Sequence, residues 1–256
     1  MQIGDEVCGL NWSAQSNNST TQSSDGVGGC FAQYVRISYT KLSLKPPQLS
    51  FVQAASCLLA GCAAYQAVHQ CGKVGVGSRV LILGGNTCVG LLAAQLCRAA
   101  GAEFVAVTCS ASSADAVQRA ADPHLLVRHD QEKWQAHPLI RHMDFVLDLV
   151  GTANTLELLK TGEGLVSTGG AFVSLANPHV GVIAQAHPPF SYARFYLFKQ
   201  STEHQDIILG RVVRGQLKGP EIRLHPFLKE GIMEMLQGVR SQKSRGKHVL
   251  CVVPQN

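Results

Sequence analysis

The run Val80-Leu-Ile-Leu-Gly-Gly-Asn-Thr-Cys-Val-Gly90, continued by Leu91-Leu-Ala-Ala-Gln-Leu-Cys-Arg-Ala-Ala-Gly101, constrains this chain more than any other stretch. An apolar run meets a tight glycine turn, and an alanine- and leucine-rich helix pattern follows and stops at Gly101. Strand, turn and helix in immediate succession open a βαβ unit, which calls for a parallel sheet covered by helices. The start of that helix presents backbone N–H groups on which a pyrophosphate can sit, so the pattern is that of a dinucleotide-binding turn. Its glycine spacing departs from the usual form. Gly-x-Gly-x-x-Gly reads Gly85-Asn86-Thr87-Cys88-Val89-Gly90, and Thr87 stands where a side chain is expected to crowd the phosphates.

The alternation continues downstream. The first strand is predicted over Val80–Leu83, entered from Arg79, and its helix over Val89–Ala100. Glu103–Thr108 reads as the second strand, Ser113–Ala121 as the second helix and Leu125–Arg128 as a short third strand. Asp144–Val150 reads as the fourth strand, Asn154–Lys160 as a helix and Ala171–Leu175 as the fifth strand. Strands alternating with helices over about 100 residues predict an α/β chain with a doubly wound parallel sheet and right-handed crossovers. Ligands of such sheets bind beyond the C-terminal strand ends.

Around this block the pattern changes. Residues 11–29 are rich in Asn, Ser, Thr, Gln and Gly and read as a long surface loop. Phe31–Ile37 alternates like a strand, Pro46-Pro47 marks a boundary, and Ser50–Gln70 has helical spacing. Residues 177–200 carry prolines and the aromatic cluster Phe190, Tyr192, Phe195, Tyr196 and Phe198, and read as a mobile or partner-facing segment. Glu203–Arg214 and Leu228–Val239 fit helices, and Arg245–Val253 is a turn into a buried strand.

Hydrophobic residues make up 46% of the chain against 15% charged, which excludes a disordered chain. The net charge of +5 is scattered with no basic block; charge alone suits an anionic small ligand as well as nucleic acid, and no nucleic-acid partner is expected. No continuous apolar run reaches the roughly 20 residues of a membrane helix, so no membrane span is expected. The start Met-Gln-Ile-Gly-Asp-Glu-Val has no basic or arginine-rich stretch, which predicts a cytoplasmic chain, with a mitochondrial address open for a longer form. The nine cysteines form no Cys-x-x-Cys and meet no paired histidine spacing, so they read as small buried hydrophobes of a reducing compartment, with no metal.

Several motifs stand in one order: Gly4-Asp-Glu-Val7, Gly29-Cys-Phe-Ala-Gln-Tyr-Val35, Ala54-Ala-Ser-Cys-Leu-Leu-Ala-Gly61, the glycine turn, Asp144-Phe-Val-Leu-Asp148 with Val150-Gly151, Gly169-Gly170, and Arg245-Gly-Lys247. Taken together, over nearly the whole chain, they resemble the zinc-free quinone oxidoreductase branch of the medium-chain dehydrogenase/reductase superfamily. The resemblance implies a Rossmann domain that carries NADPH and a GroES-like partial barrel that carries substrate groups. It divides the chain into a partial GroES-like substrate domain (1–49), a Rossmann dinucleotide-binding domain (50–200) and a return segment to the GroES-like domain (201–256). Gly-Asp-x-Val normally lies well inside the first domain, so the chain is expected to lack the first part of the GroES-like fold. The four-cysteine zinc lobe of alcohol-dehydrogenase relatives has no counterpart here. The implied reaction is zinc-independent hydride transfer from C4 of the nicotinamide to a quinone or α,β-unsaturated carbonyl, with no fixed catalytic acid or base to carry over. Family members often pair through edge strands of the Rossmann sheet, which opens a homodimer.

The candidate cofactor residues follow. Backbone N–H groups of Asn86, Thr87, Cys88 and Val89 face the phosphates, unless the turn is simply a tight strand–helix connection. The end of the second strand, Val107-Thr-Cys-Ser-Ala-Ser-Ser113, holds no acid, and the resemblance implies that Ser110 bonds a 2′-phosphate, which favours NADPH over NADH. Ser113 stands where several members carry a lysine; Ser110 reads equally as a helix N-cap. His129 occupies a position where relatives often stack a tyrosine near the adenine; as a lone loop histidine it reads as exposed. The resemblance places Ala63, Val150 and Leu175 beside the nicotinamide or its ribose, where ordinary core is the alternative. It also takes Ser244, Arg245 and Lys247 to the cofactor, where a solvated turn is the alternative. Asp148 is expected to be structural, ending the fourth strand. Phe190, Tyr192, Phe195 and Tyr196 are expected to lid an apolar substrate slot or to pair with a second subunit. The competing function is a catalytically impaired relative that senses cofactor or binds a protein partner, supported by the altered glycine turn.

Overall fold

The computed structural model describes residues 1–11, 29–151, 164–180, 192–241 and 246–252. Two compact units are present: Met1–Cys62 together with Lys199–Asn256, and Ala63–Phe198.

The first unit opens with β1 (Val7–Gly9) and β2 (Leu42–Leu44), paired antiparallel with Val7 opposite Leu44. Two three-residue strands make a weak ladder by themselves. The next residue, Lys45, secures it from a buried position. Its Nζ donates to the Leu49 carbonyl at 2.6 Å and the Pro46 carbonyl at 3.2 Å, and meets the Glu6 carboxylate at 3.0 Å. These bonds fix the Pro46-Pro47 corner before α1 (Phe51–Tyr65). The strand predicted over Phe31–Ile37 does not form; the segment runs through bends, with Phe31 and Tyr34 exposed. Alternation makes a strand only where a neighbouring strand accepts its backbone bonds.

α1 continues into a π-helical turn, Gln66–Cys71. The 21 residues Phe51–Cys71, with mean hydropathy 1.4, are long and apolar enough to cross a membrane by length and composition, although Gln53, Ser56, Gln66, His69 and Gln70 interrupt the apolar run. Two thirds of that stretch is buried inside the fold, the pattern of a core helix in a globular protein.

The second unit holds the sheet. Its strands are β3 (Arg79–Leu83), β4 (Phe104–Cys109), β5 (Leu125–Arg128), β6 (Met143–Asp148), β7 (Val166–Ser174) and β8 (Tyr192–Phe195), with α2 (Cys88–Ala99) and α3 (Ala114–Ala121) between the early ones. All pairings are parallel, in the order β5-β4-β3-β6-β7-β8. The doubly wound α/β class expected from the sequence is therefore present. Its central strands β3 and β4 read as largely apolar runs, the pattern of strands covered on both faces. Val80–Leu83 and Phe145–Asp148 are buried throughout, and Leu81, Ala106, Val127, Trp134, Ile140, Val146 and Phe172 form one continuous core. The Phe145 ring packs so closely on Gly72 that a Cβ there would lie 2.8 Å from it.

Two predictions needed revision here. The fifth strand is the C-terminal half of the longer β7, which reaches Val166 across a register shift opposite Met143 and Phe145. The aromatic segment read as mobile or partner-facing supplies a sixth strand, β8, paired with β7. The predicted helix Asn154–Lys160 lies outside the described residues.

From β3 the chain winds outward to β5, and from β6 it winds the other way to β8. β3 and β6 are thus neighbours at a reversal of strand order, where the loops at the C-terminal ends part and leave a crevice.

The first unit resumes with α4 (Thr202–Val213), β9 (Ile222–Pro226), α5 (Lys229–Arg240) and β10 (Lys247–Cys251). Ser201 caps α4 by accepting from His204 N at 3.2 Å, and Gln205 donates to the Lys41 carbonyl at 3.2 Å. β9 and β10 pair in parallel, and across them His225 Nε2 and His248 Nδ1 share a 2.8 Å hydrogen bond with stacked rings.

Candidate functional site

The glycine turn sits at the reversal point. Gly84 follows β3 with φ +94°, a conformation that favours glycine. Its N–H donates to Thr108 Oγ1 at 3.1 Å, and Gly85 N–H donates to the Thr108 carbonyl at 2.8 Å, which ties the turn to the end of β4. Leu149 N–H bonds the Leu83 carbonyl at 3.0 Å and ties it to the end of β6. A Cβ on Gly90 would run into the Gly84 carbonyl, so the start of α2 and the end of β3 lie backbone against backbone.

Thr87 does something the sequence reading did not assign. It is the N-cap of α2: Oγ1 accepts from Gly90 N–H at 3.0 Å and donates to the Gly84 carbonyl at 2.9 Å. The hydroxyl is spent inside the turn. Capping uses one of the first-turn amides that an anion would otherwise share, while the helix dipole still favours negative charge at this end. Asn86 is exposed, and Thr87, Cys88 and Val89 are half-buried.

Asp148 organises the ends of β6 and β7. It is fully buried. Oδ1 accepts from the N–H groups of Val150 and Gly151 at 3.1 and 3.0 Å, and Oδ2 accepts from Ser174 Oγ at 2.7 Å. Ser174 Oγ in turn accepts from Ala176 and Asn177 N–H, and Leu175 N–H bonds the Asp148 carbonyl at 2.9 Å. Asp148 thus holds Val150 through its carboxylate and Leu175 through its main-chain carbonyl, on adjacent strand ends. Val150 is half exposed, and its Cγ2 would lie 2.9 Å from a Cβ on Gly84, so it faces the turn instead of joining the core. Leu175 is half-buried, and Ala63 is buried in α1.

At the end of β4, Ser110 precedes a single 3-10 turn, Ala111–Ser113. Its hydroxyl makes no capping bond to the backbone and lies 3.1 Å from both Ser112 Oγ and Ser113 Oγ. The adjacent Ala111 N–H is taken by Asp130, whose Oδ1 and Oδ2 lie at 2.9 and 3.1 Å. No acid stands within Val107–Ser113; the acid at this strand end arrives from the loop after β5. The usable signal was the strand order, since the third strand of such a sheet ends beside the second. His129 is exposed on that loop and its N–H bonds the Cys109 carbonyl at 3.0 Å.

The turn, Val150, Leu175, Ser110 and His129 therefore cluster at the C-terminal ends of β3 to β7. Lys247 opens β10 in the other unit, and Ser244 and Arg245 lie outside the described residues. Among Phe190, Tyr192, Phe195 and Tyr196, expected to lid a slot or to pair with a second subunit, the structure corrects Tyr196. Tyr196 and Phe198 are buried; Tyr196 Oη donates to Gln66 Oε1 at 3.1 Å, burial raises its pKa, and the Arg194 guanidinium lies over its ring. Phe195 ends β8, half-buried, and Phe190 lies outside the described residues.

None of the nine cysteines forms a disulfide. Burial pushes the Cys57 thiol up to about 11 and those of Cys62 and Cys97 up to about 12. Cys109 reaches about 11 through burial first and the Asp130 charge second. Such thiols stay protonated and inert near neutral pH. Among the described residues, no three or more His, Cys, Asp or Glu side chains are grouped to hold a metal ion.

No protein-family model matches the chain. In sequence it is similar to the mitochondrial NAD(P)H oxidoreductase RTN4IP1 of Mus musculus, 27% identical over 252 residues, which covers 88% of this chain and 62% of that protein. It is also similar to the 2-methylene-furan-3-one reductase of Solanum lycopersicum, 31% identical over 145 residues, which covers 56% of this chain and 36% of the reductase. In structure it is similar to the quinone oxidoreductase of Coxiella burnetii, with a TM-score of 0.81 and 26% identity over 99% of this chain and 74% of that one. The chain spans 62% of the length of the mouse and human oxidoreductases it matches.

Proposed function

The chain belongs to the medium-chain dehydrogenase/reductase superfamily, on its quinone oxidoreductase-like branch, and we propose that it is a zinc-independent reductase that uses NAD(P)H to reduce a quinone or an α,β-unsaturated carbonyl. The observation that carries this reading is the convergence of the capped glycine turn, Val150 and Leu175 at the reversal of strand order between β3 and β6. The names of the relatives, which speak of NAD(P)H oxidoreductase, enone and quinone chemistry, support the same class.

The residues present fit a dinucleotide. Glycines at 84, 85 and 90 keep the turn tight where a Cβ would collide with neighbouring backbone or side chains, so the start of α2 can approach a diphosphate. The amides of Cys88 and Val89 bind that diphosphate, with Asn86 and Thr87 shaping the turn around it. Val150 and Leu175 give apolar edges that orient a flat ring and exclude water, held in place by Asp148. When bound, the reduced nicotinamide supplies a hydride. Ala63, His129 and the basic turn Ser244, Arg245 and Lys247 complete the proposed cofactor set on the strength of the sequence. Ser110 favours NADPH in that set, and Asp130 beside it favours NADH. Among the described residues β8 is an edge strand, which supports a homodimer. The mitochondrial relatives favour a mitochondrial over a cytoplasmic setting, testable by cell fractionation.

The test is a titration of the purified chain with NADPH and NADH by nicotinamide fluorescence, followed by turnover with a panel of quinones and enones. Saturable binding with substrate-dependent cofactor oxidation is expected. No binding at millimolar cofactor overturns the reading in favour of a protein-interaction module, for which the commitment of Thr87 Oγ1 to Gly90 N–H is the structural argument.

A further inference from the structure

We propose that Asp130 sets the cofactor choice of this chain: its carboxylate, stationed at the end of β4, accepts from the adenosine ribose hydroxyls of NADH and excludes the 2′-phosphate of NADPH. This rests on the dinucleotide reading of the turn.

The placement comes from the sheet. β4 is the second strand of the parallel series and lies directly beside β3. In this strand order the ribose of a bound dinucleotide lies past the end of the second strand. Ala111 is two residues beyond Cys109, the last residue of β4, and its N–H is bracketed by Asp130 Oδ1 at 2.9 Å and Oδ2 at 3.1 Å. The loop carrying Asp130 is laid along the end of β4 by two features. Arg128 stands opposite Cys109 in the ladder, and His129 N–H bonds the Cys109 carbonyl. The carboxylate is therefore a fixed part of the strand end and not a wandering surface charge.

Its chemistry selects. A carboxylate has about four lone-pair sites, so the Ala111 bond leaves acceptor capacity for ribose hydroxyls. A 2′-phosphate brought to the same place meets a like charge, and the Ala111 N–H that could have served it is already occupied. Ser110 offers a neutral hydroxyl shared with Ser112 and Ser113, which brings no cation to offset that repulsion. Arg128 is a cation on this edge; it is exposed, and the Glu132 carboxylate accepts from its backbone N–H at 3.3 Å.

Calorimetric titration of the full chain with NADH and NADPH, and with 5′-AMP and adenosine 2′,5′-bisphosphate to isolate the ribose end, tests this. NADH is expected to bind tighter than NADPH by on the order of tenfold, with 5′-AMP preferred over the bisphosphate. Asp130→Ser is expected to reverse the preference, and Asp130→Asn to reduce it. Asp130 is exposed, so both variants should keep the wild-type unfolding midpoint, which is checked alongside. NADPH preferred by the wild type overturns the proposal, as does an unchanged ratio in Asp130→Ser; either result leaves the dinucleotide reading standing. Binding of none of the four ligands overturns both.

Discussion

The two units solve the problem of burial differently. In Ala63–Phe198, six strands lie side by side, and Phe145, Phe172, Leu81, Ile82, Ile140, Met143 and Leu147 are fully buried between covering layers. Among the described residues of the other unit, the ladders are two separate pairs, only Leu58 and Ile208 reach that class of large, fully buried side chains, and Ile3, Phe31, Tyr34 and Tyr39 are exposed. The sheet unit is held by apolar area. The other unit leans on polar ties: Lys45 across its corner, Gln200 and Gln205 on the Lys41 carbonyl, and His225 with His248. Stability that comes from area is spread over many contacts, whereas stability from a few buried polar bonds sits on single residues.

Substitutions can break or sharpen that contrast. Phe145→Ala in the sheet should cost about 3–5 kcal/mol in urea unfolding, because a cavity opens against Gly72 and the neighbouring strands. Tyr34→Ser, equally aromatic but exposed in the other unit, should stay within about 0.5 kcal/mol. Similar costs for the two would erase the distinction.

Asp148→Ala should cost roughly 3 kcal/mol by leaving the Ser174 hydroxyl and two amides without their acceptor. Hydrogen exchange at Val150 and Gly151 should speed up together, since one carboxylate holds both; unchanged protection would mean that the loop is fixed by something else. Lys45→Met should cost about 1–3 kcal/mol, concentrated in the unit that depends on polar ties. Thr87→Ala should cost about 1 kcal/mol through loss of the helix cap, and Thr87→Gly only a few tenths. If the turn holds a diphosphate, Thr87→Gly should also tighten dinucleotide binding severalfold by returning the Gly90 amide; calorimetry reads this directly.

The smallest effect is a dependence on pH. Burial, and then the neighbouring His225 and Arg223, lower the pKa of His248 below its ordinary 6.5. The folded chain therefore favours the neutral ring. Its contribution is fully present above about pH 6.5 and is lost as pH falls through the lower folded value. His124 and His204 are shifted in the same direction, chiefly by burial. The urea midpoint should fall between neutral pH and about pH 5, and His248→Gln should flatten part of that fall.

Much of the sheet was legible because its signals are local. The apolar runs at Val80–Leu83 and Leu125–Arg128, and the helix ending before Gly101, carry their periodicity in consecutive residues. The strand expected at Phe31–Ile37 had the same alternation and failed for want of a partner. β8 and the burial of Tyr196 were missed for the converse reason: prolines and aromatics read as a surface segment, while β7 offered an edge for Tyr192–Phe195 to join. At the site, the glycine turn and the strand-end residues Val150 and Leu175 are legible as positions at strand ends, because each follows an apolar run. Which hydroxyl caps the turn and which acid meets Ala111 were not visible.

By itself, the sequence determined the succession of strands and helices from β3 to β6 and the point where backbone and helix start meet at Gly84–Gly90, and it carries the resemblance to the family. Only the tertiary structure decided which strand ends stand together. Asp130 lies 19 residues beyond Ala111, and the two meet because β5 pairs with β4 in register. Asp148 and Ser174 meet because β6 pairs with β7. Periodicity along a chain specifies which face of an element is apolar, but the choice of neighbour is a long-range packing decision, and the charge of a ligand site is set by neighbours.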